Sequence, residues 1–408
     1  MRHRRRNDLL VLLVPPSPEL IDQKVFPMLG PLYLSSVLKG AGYNTQVLDL
    51  HDWNIPRISA DAYLVTALTP HFPGLVKALP KIRRNTNWVI IGGPHATVAP
   101  DECLESGFDQ VVVGEGERAI LSTLQRDDEI VRVASADDLD SIPFPDRGAI
   151  NLSSYHYSID GKRATSIMTA RGCPFTCAFC CKTFSRRVRF RTSSNVLAEA
   201  QELKDVWSIE ALQIYDDEFF INWRRDEKII RGLYQLDMPY RCFARADHIR
   251  DDIAGLAADT GCYEVLIGVE SGSSRILENV HKGTTREDNL GAIATLKHHG
   301  IRAKAALIVG LPGEDRDSLK ETETFIEEAQ PDDIDITLLQ VYPGSQIWHH
   351  PELYDLSFDR HSYRFFKGQP GEYQAGVSTS SLTSQELVEA RDYLEKKFKP
   401  SLWVPTCG

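Results

Sequence analysis

The chain has 408 residues, enough for two or three domains, and it is 42% hydrophobic and 25% charged, which is ordinary for a soluble globular protein. Its formal net charge of −11 argues against general affinity for nucleic acid. No apolar stretch is long enough to span a membrane, and eight cysteines without a disulfide-like spacing predict a reducing, cytoplasmic location.

A basic start at residues 2–6 precedes an apolar run, Leu9–Val14, so a signal peptide has to be considered. The run is short, and Pro15 and Pro16 end it without a small-residue cleavage site. A first buried β-strand is therefore the better interpretation of this run.

Residues 1–126 are predicted to form a first α/β domain. The predicted strands are 9–14, 45–50, 62–67, 88–91 and 110–113, and the predicted helices are 29–41, 73–84 and one after 117. Continuous apolar strands that alternate with helices predict a Rossmann-like, doubly wound parallel sheet. Such sheets bind ligands outside the carboxyl ends of their strands.

Glycine and proline are frequent where these strands end. The residues after the strands include Pro15 and Pro16; Thr69 and Pro70; Gly92, Gly93, Pro94 and His95; and Gly114, Glu115 and Gly116. Glycine allows the backbone to approach a large flat ligand closely. These strand ends resemble a cobalamin-binding domain, and the resemblance implies that the residues from Thr69 to Gly116 in this set bind cobalamin. A nucleotide-fold domain that no longer binds cobalamin is the alternative.

Some cobalamin proteins bind cobalt through the histidine of a D-x-H-x-x-G motif after the first strand. The first loop here, residues 15–27, contains no histidine, and Asp49-Leu50-His51 follows the second strand and lacks the glycine. We therefore expect no protein imidazole on cobalt, and we expect His95 to lie near the corrin without binding the metal.

Residues 127–163 are predicted to be a linker. The segment 136–140 is acidic, and Ile142-Pro143-Phe144-Pro145-Asp146 cannot lie inside a helix.

Residues 164–346 resume the alternation with longer units. The predicted strands are 164–170, 211–216, 241–246, 264–270, 303–309 and 334–341, with helices in the gaps. Six such units predict a partial, TIM-like (β/α)6 barrel that is open at one side. Barrel chemistry takes place at the carboxyl ends of the strands.

The loop after the first of these strands reads R-G-C-P-F-T-C-A-F-C, with Cys173, Cys177 and Cys180 at the spacing C-x3-C-x2-C. Three thiolates can hold three irons of a 4Fe–4S cluster, which leaves one iron open to a chelating molecule. A structural zinc site instead uses four protein ligands. The loop resembles the signature of the radical S-adenosylmethionine (SAM) enzymes, in which the position of Phe179 packs near adenine. That pattern does not use Cys181.

The resemblance also implies a SAM site. Asp216, Asp217 and Glu218 end the second barrel strand, where the family often has Gly-Gly-Glu to hold the methionine amino group. The acidic residues depart from that pattern, but carboxylates are sensible partners for an ammonium. A solvated acidic loop is the alternative.

Other strand ends are assigned on the same resemblance. Arg245 is expected to pair with the methionine carboxylate, or else to form a structural salt bridge. Glu270 is a candidate for the ribose hydroxyls, and Gly310 and Pro312 suit a backbone contact to adenine. Tyr342 is the candidate catalytic residue facing the reaction chamber, with a buried structural tyrosine as the alternative. Residues 280–285 also match the family, or form a surface loop.

A basic run, residues 186–191, follows the cysteine loop. Basic residues interleaved with aromatic residues can bind RNA. The run is short and the protein acidic, so local pairing with phosphate, carboxylate or cluster charge is preferred.

Residues 347–408 are predicted to be a cap and tail that end in a helix, which begins near Thr383 with a capping box and runs to about 399. No large third domain remains. That argues against the nucleic-acid-binding module that tRNA methylthiotransferases carry at this end.

The resemblance as a whole implies a cobalamin-dependent radical SAM enzyme with a 4Fe–4S cluster, SAM and cobalamin. The leading hypothesis is methyl transfer to an unactivated carbon through a 5′-deoxyadenosyl radical and methylcobalamin. The implied partners are a small-molecule or peptide substrate and an external one-electron reductant of the flavodoxin or ferredoxin type, without nucleic acid or membrane. Radical cyclisation, rearrangement or oxidation is the main alternative, and a non-catalytic carrier is a third.

Overall fold

The computed structural model describes residues 8–18, 20, 22–181, 183–360, 363 and 373–399. Three predicted segments lie wholly or partly outside the described residues. They are the basic start at 2–6, the part of the cap between 361 and 372 apart from residue 363, and the end from residue 400. The chain divides into two compact units. The first is Met1–Pro174 with Cys181–Ile209 and Tyr342–Gly344, and the second is Phe175–Cys180 with Glu210–Val341 and Ser345–Gly408.

Strands and helices alternate in the first unit. In chain order they are β1 (Leu9–Val14), α1 (Leu29–Gly40), β2 (Asn44–Asp49), β3 (Ala62–Thr66), α2 (Phe72–Ile82), β4 (Val89–Gly92), α3 (Pro94–Val98), α4 (Pro100–Glu105), β5 (Gln110–Val113), α5 (Gly116–Thr123), β6 (Ile130–Arg132), β7 (Ser158–Ile159), β8 (Lys162–Ile167), β9 (Ala170–Arg171), β10 (Arg189–Phe190) and α6 (Ser193–Trp207).

The strands β1 to β6 form one sheet in the order β2-β1-β3-β4-β5-β6, and every neighbouring pair is parallel. All but the first residue of β1 are buried, as expected for a strand covered on both faces. Leu10, Leu12 and Ile90 from the strands pack with Leu38 and Ile120 from the helices in the core. The predicted doubly wound, Rossmann-like sheet is confirmed.

Two details of this unit differ from the expectation. The sheet gains β6 from the segment predicted as linker, where the charged residues 127–129 mask a strand of only three residues. The first predicted barrel strand, 164–170, divides into β8 and the two-residue β9. β8 pairs antiparallel with β7, and β9 pairs antiparallel with β10.

The order of the sheet locates its ligand edge. The chain runs from β1 outward to β2 and then returns to place β3 on the other side of β1. In open parallel sheets the crevice for a ligand lies at such a reversal, outside the carboxyl ends of the strands. The loops after β1, β3, β4 and β5 meet this edge.

The second unit continues the alternation. Its elements are β11 (Ala211–Ile214), α7 (Trp223–Gln235), β12 (Tyr240–Ala244), α8 (Asp251–Asp259), β13 (Cys262–Glu270), α9 (Ser274–Asn279), α10 (Arg286–His298), β14 (Arg302–Val309), α11 (Arg316–Ala329), β15 (Asp333–Leu338), α12 (Gln346–His349), β16 (Ser357–Phe358), β17 (Val377–Ser378) and α13 (Ser384–Phe398).

The strands β11 to β15 lie in sequential order, and each neighbouring pair is parallel. Burial alternates along β14 and β15, so one side of each strand is sealed and the other is partly exposed. This is the open barrel sheet that the sequence predicted, with five of the six predicted strands in this unit.

The helix α13 closes the described chain. The Thr383 side chain accepts from the Glu386 N–H and Glu386 accepts from the Thr383 N–H, which confirms the predicted capping box. Arg391 is buried, and its Nε donates to the Ile336 carbonyl of β15 at 3.1 Å. Among the described residues, no helix has the length and hydropathy needed to cross a bilayer.

Candidate functional site

The cysteine loop begins with a glycine in a backbone conformation that other residues rarely adopt. Gly172 has a φ of +99°, and a Cβ on it would lie 2.5 Å from the Ser185 carbonyl oxygen and 2.7 Å from that of Arg187. No side chain fits there, so the residue before Cys173 must be glycine.

Backbone hydrogen bonds fix the rest of the loop within the second unit. The buried Ala178 donates its N–H to the Val280 carbonyl at 2.8 Å, and its own carbonyl accepts from the Ile347 N–H at 3.2 Å. The Cys180 N–H donates to the Cys177 carbonyl at 3.2 Å. Residues 280–285 therefore begin with a partner of the cysteine loop.

The donor set of the loop fits an iron–sulfur cluster. Cys173, Cys177 and Cys180 are partly exposed, and the described cysteines form no disulfide. No three His, Cys, Asp or Glu side chains of the described residues converge as ligands of one ion. Each of three irons of a 4Fe–4S cluster takes one cysteine thiolate, so three cysteines supply the donor chemistry that those irons need.

The neighbouring Cys181 is different. Its thiol donates to the Pro343 carbonyl at 3.0 Å, and burial raises its pKa to about 11. The thiolate is the form that binds metals, so Cys181 is poorly suited to hold iron.

An acid and a histidine pair where β11 and β12 end. Asp216 and Glu218 are buried, whereas Asp217 is exposed. Glu218 accepts from Nδ1 of His248 at 2.9 Å. Burial raises the pKa of Glu218, and the hydrogen bond to Glu218 raises the pKa of His248. The histidine and the carboxylate are therefore coupled through this hydrogen bond. Sequence reasoning missed His248, although it lies only four residues beyond β12.

Arg245 is engaged within the protein. Its Nε and Nη2 donate to the two carboxylate oxygens of Asp247 at 3.1 and 3.2 Å, and Nη1 donates to the Lys282 carbonyl at 2.9 Å. The guanidinium lies 3.6 Å from the ring centre of Phe175, a cation–π geometry. These contacts correspond to the salt-bridge alternative, and the pairing with a methionine carboxylate stays a prediction.

Glu270 ends β13 in an unusual conformation. Its φ of 64° is rare for a residue other than glycine. Its carboxylate accepts from Lys282 Nζ at 2.7 Å. A Cβ at Gly268 would lie 2.6 Å from Glu270 Oε1, so this glycine makes room for the pair. The predicted ribose contact remains a prediction.

The loop after β14 carries a buried acid. The Gly310 N–H donates to Glu314, which is buried, and burial raises the pKa of Glu314 to about 8. Gly310 has a φ of +96°, and the Pro312 carbonyl accepts from Asn279 Nδ2 at 3.1 Å. Glu314 explains how the loop keeps its shape. The roles of Gly310 and Pro312 toward adenine, and those of Phe179 and Tyr342, stay predictions.

The carboxyl edge of the first sheet is built from small or inward-facing residues. A Cβ on Gly93 (φ +95°) would lie 2.8 Å from Thr66 Oγ1, and one on Gly114 (φ +101°) would lie 2.9 Å from the Val133 carbonyl oxygen. His71, in the turn after β3, is buried, and its Nε2 has no hydrogen-bond partner in the described part of the chain. Buried polar atoms are normally satisfied. Small residues at the strand ends, together with a buried polar atom that lacks a hydrogen-bond partner, fit a large polar ligand such as cobalamin.

His95 lies inside this edge. Its ring is fully buried, 4.0 Å from the ring centre of Phe72, and its Nδ1 lies 3.2 Å from Thr69 Oγ1. Burial lowers the pKa of His95 to about 4. The ring is thus a neutral internal group, and the predicted contacts of residues 92–95 with cobalamin stay predictions.

Glu115 is held by two arginines. Its carboxylate lies 3.1 Å from Arg171 Nη1 and 2.5 Å from Arg189 Nη2. Burial acts against its charged form, but the close contact with Arg189 and the charge of Arg171 outweigh it and hold the pKa of Glu115 below its usual value. Its carboxylate is therefore committed to the protein.

The basic run after the loop pairs with carboxylates. Arg187 pairs with Asp137, Arg189 with Glu115, and Arg191 with Glu199. The expectation of local pairing is confirmed for these three, and two of the arginines are buried away from any RNA.

Two family models match the chain. That of the Radical SAM superfamily matches residues 167–326, and that of the B12 binding domain matches residues 23–123. The chain contains a radical SAM domain and, ahead of it, a B12-binding domain. A radical SAM domain implies a 4Fe–4S cluster and SAM, and a B12-binding domain implies cobalamin.

Curated relatives of this radical SAM protein cover most of its length. An uncharacterized methyltransferase of Pyrococcus horikoshii is 27% identical over 384 residues, which cover 84% of this chain and 82% of the relative. An anaerobic magnesium-protoporphyrin IX monomethyl ester cyclase of Cereibacter sphaeroides is 28% identical over 379 residues, covering 82% of this chain but only 61% of the cyclase.

A solved structure shares the fold. The radical SAM methyltransferase TsrM from Kitasatospora setae, with cobalamin and a 4Fe–4S cluster bound, matches with a TM-score of 0.72 and 17% identity, over 95% of this chain and 91% of TsrM. At this identity the match establishes the architecture of the radical SAM protein.

Proposed function

We propose that this protein is a cobalamin-dependent radical SAM methyltransferase that acts on an unactivated carbon. The observation that carries the proposal is the presence of two features in one chain. One is a loop with three partly exposed cysteines at the spacing C-x3-C-x2-C, and the other is a parallel sheet with closely packed glycines at the carboxyl ends of its strands. When bound, the cluster and SAM supply a 5′-deoxyadenosyl radical, and cobalamin supplies a methyl group.

Cys173, Cys177 and Cys180 hold the cluster in this proposal. Their partial exposure leaves the thiols accessible to iron, and Gly172 and Ala178 fix the backbone on either side of Cys173 and Cys177. A rigid loop holds the thiols in one arrangement, which lowers the entropic cost of binding a cluster.

Glu218 accepts the SAM ammonium in this proposal, with Asp216 or Asp217 beside it. His248 holds the Glu218 carboxylate through the 2.9 Å hydrogen bond and keeps it oriented. Phe175 and Arg245 form one stacked pair at the start of the cysteine loop. Phe179, Glu270, Gly310 and Pro312 complete the SAM site, and Tyr342 is the catalytic candidate.

The finer organisation belongs to the same proposal. Residues 1–126 form the cobalamin domain, 127–163 the linker, 164–346 the radical SAM core, and 347–408 the cap and tail. The protein works in the cytoplasm on a small-molecule or peptide substrate, with an external one-electron reductant of the flavodoxin or ferredoxin type.

A second function is favoured by one relative. The cyclase of Cereibacter sphaeroides is 28% identical to this chain, against 27% for the Pyrococcus horikoshii methyltransferase, but the match covers only 61% of the cyclase, against 82% of the methyltransferase. A radical cyclisation would consume SAM and form 5′-deoxyadenosine without moving a methyl group to the product. The two functions therefore differ in the mass of the product.

The first experiment is anaerobic purification with hydroxocobalamin, followed by cluster reconstitution. Iron, cobalt and the absorption spectrum are measured, and then the formation of 5′-deoxyadenosine from SAM under a reductant. We expect about four irons and one cobalt per chain. SAM with a deuterated methyl group then tests for label in products formed from a cell extract.

Cysteine variants give the matched control. Cys177→Ala should lose the cluster and all 5′-deoxyadenosine formation, whereas Cys181→Ala should keep both, because the Cys181 thiol is bonded to Pro343. A cluster without cobalt would contradict the methyltransferase proposal. Equal loss in the two variants would contradict the assignment of the ligands.

A further inference from the structure

A cluster of four buried charges lies around Glu115. Glu115 contacts Arg171 and Arg189, and Arg171 also pairs with Glu117 at 2.7 Å. The four side chains are between 3% and 9% exposed. We call Glu115, Glu117, Arg171 and Arg189 the Glu115 cluster. Its two positive and two negative charges balance.

The two arginines flank the cysteine loop. Arg171 lies two residues before Cys173, and Arg189 follows the loop. They stand directly opposite each other in the antiparallel pair of β9 and β10. Like charges in directly opposed positions of a β-ladder repel, so this pairing needs an anion to hold it closed.

The two acids come from the segment after β5. Glu115 reaches both arginines, and its Oε2 also accepts from the Ala136 N–H at 3.3 Å. Arg189 Nη1 donates to the Ala136 carbonyl at 2.7 Å. One carboxylate thus joins three separate stretches of the first unit, and the rings of Tyr33 and Phe184 lie 5.4 Å from the Arg171 guanidinium carbon.

We propose that Glu115, assisted by Glu117, is a positioning residue for the iron–sulfur loop, because it neutralises the opposed arginines that close the two ends of that loop. In this role Glu115 affects the iron–sulfur cluster through Arg171 and Arg189, and its carboxylate does not contact cobalamin. The inference rests on the proposed function, since it assumes a cluster in this loop and cobalamin at the sheet edge.

From its position in the sequence alone, Glu115 would be predicted to contact cobalamin and not to support the iron–sulfur loop. It lies in the Gly-Glu-Gly segment at the ligand edge of the sheet, where a polar side chain would be expected to contact cobalamin. The two roles can be separated, because one affects iron and the other affects cobalamin. Neither readout requires knowledge of the substrate.

The test compares Glu115→Gln with the wild-type chain. The measurements are the rate at which a chelator removes iron from the reconstituted cluster, the EPR spectrum of the reduced cluster with and without SAM, and the affinity for hydroxocobalamin. We expect about tenfold faster loss of iron, as for other residues that orient metal ligands, and an altered EPR spectrum. The cobalamin affinity should stay within about twofold.

Asp109→Asn is the matched control. Asp109 also pairs with an arginine, Arg83, at 3.0 Å, and it accepts from the Val89 N–H. It precedes β5, at the amino end of the strand that Glu115 follows. This variant should leave the iron, the EPR spectrum and the cobalamin affinity unchanged.

Glu117→Gln is a milder change in the Glu115 cluster, because it removes the charge of one partner of Arg171 and leaves Glu115 in place. It should show a smaller effect on iron and none on cobalamin. The inference is overturned if both variants weaken cobalamin binding while the iron–sulfur cluster is unchanged. It is also overturned if both variants lose the iron–sulfur cluster and cobalamin together. If the wild-type chain binds neither iron nor cobalamin, the proposed function fails instead.

Discussion

Two sets of paired charges, one in each unit, differ in the exposure of their members. In the first unit, Arg147, Arg189 and Glu199 have side chains that are 2–3% exposed. In the second unit, the partners of Arg245 and Glu218 are more open, with Asp247 34% and His248 24% exposed. A buried pair that loses one member leaves an uncompensated charge, whereas a partly exposed pair can exchange its partner for water.

The buried set suits a structural scaffold, and the partly exposed set suits a ligand-binding site. Buried arginines in the first unit hold backbone segments that must not move, such as the stem of the cysteine loop. Partly exposed pairs in the second unit can open to admit the charged ends of a ligand at a small cost. SAM carries both an ammonium and a carboxylate, so pairs that can exchange partners suit its binding site.

The strongest test of the comparison is to remove Glu199, which contacts both Arg147 and Arg191. Glu199→Ala should lower the free energy of unfolding by about 3–5 kcal/mol, because it leaves two buried arginines without their carboxylate. Urea denaturation measures the change. Glu202→Ala, on an exposed position of the same helix, should change it by less than about 0.5 kcal/mol. Similar values for the two variants would remove the distinction.

A second test addresses the ligand. Glu218→Ala should weaken SAM binding by about 10- to 100-fold, since a charged hydrogen bond to the ammonium is worth roughly 1.5–3 kcal/mol. Titration calorimetry on the reconstituted protein measures the affinity. The Glu227→Ala variant, which removes a surface pair with Arg231, is the control. Unchanged SAM affinity in Glu218→Ala would exclude Glu218 from the site.

A third test uses low pH. The folded pKa of Glu115 lies below its unfolded value, so its contribution to stability is present above the unfolded pKa and is lost as the pH falls through the folded pKa. The free energy of unfolding of the wild-type chain should therefore drop more steeply between about pH 5 and pH 3 than that of Glu115→Gln. Parallel curves would show that Glu115 is not held in its charged form by the arginines.

The smallest effect is expected at higher pH. The folded pKa of His248 is raised by Glu218, so the stability it contributes is present below the unfolded pKa and is lost as the pH rises through the folded value. The difference in unfolding free energy between wild type and His248→Asn should shrink by less than about 1 kcal/mol from pH 6 to pH 8.5, since the ring is partly exposed. A difference that is constant with pH would mean that folding does not raise the pKa of His248, and the effect assigned to Glu218 would be absent.

Local patterns made most of the fold predictable. The apolar run Leu9–Val14 was better explained as a buried strand than as a signal peptide, and the alternation of such strands with helices indicated a parallel sheet. The cysteine spacing predicted a cluster-binding loop, and this loop lies within the region that the Radical SAM model matches. The capping box at Thr383 and Glu386 located the start of the last helix.

Long-range pairing could not be predicted. Glu115 looks like a ligand group because it stands at a strand end, and nothing near it in sequence indicates that Arg171 and Arg189 will occupy it. Arg245 is a different case, since its partner Asp247 is only two residues away and the pair could have been expected. β6 was missed because three residues carry too little periodicity to identify a strand.

The ladder between β9 and β10 has a consequence for how the protein acquires its metal. It joins Arg171 to Arg189 and so closes the chain from residue 172 to 188 into a loop. Closing a flexible loop of this length costs roughly 2–3 kcal/mol of chain entropy. The ladder belongs to the first unit, so the folding of that unit covers this cost, and binding of a cluster has only to order the inside of a loop whose ends are already joined.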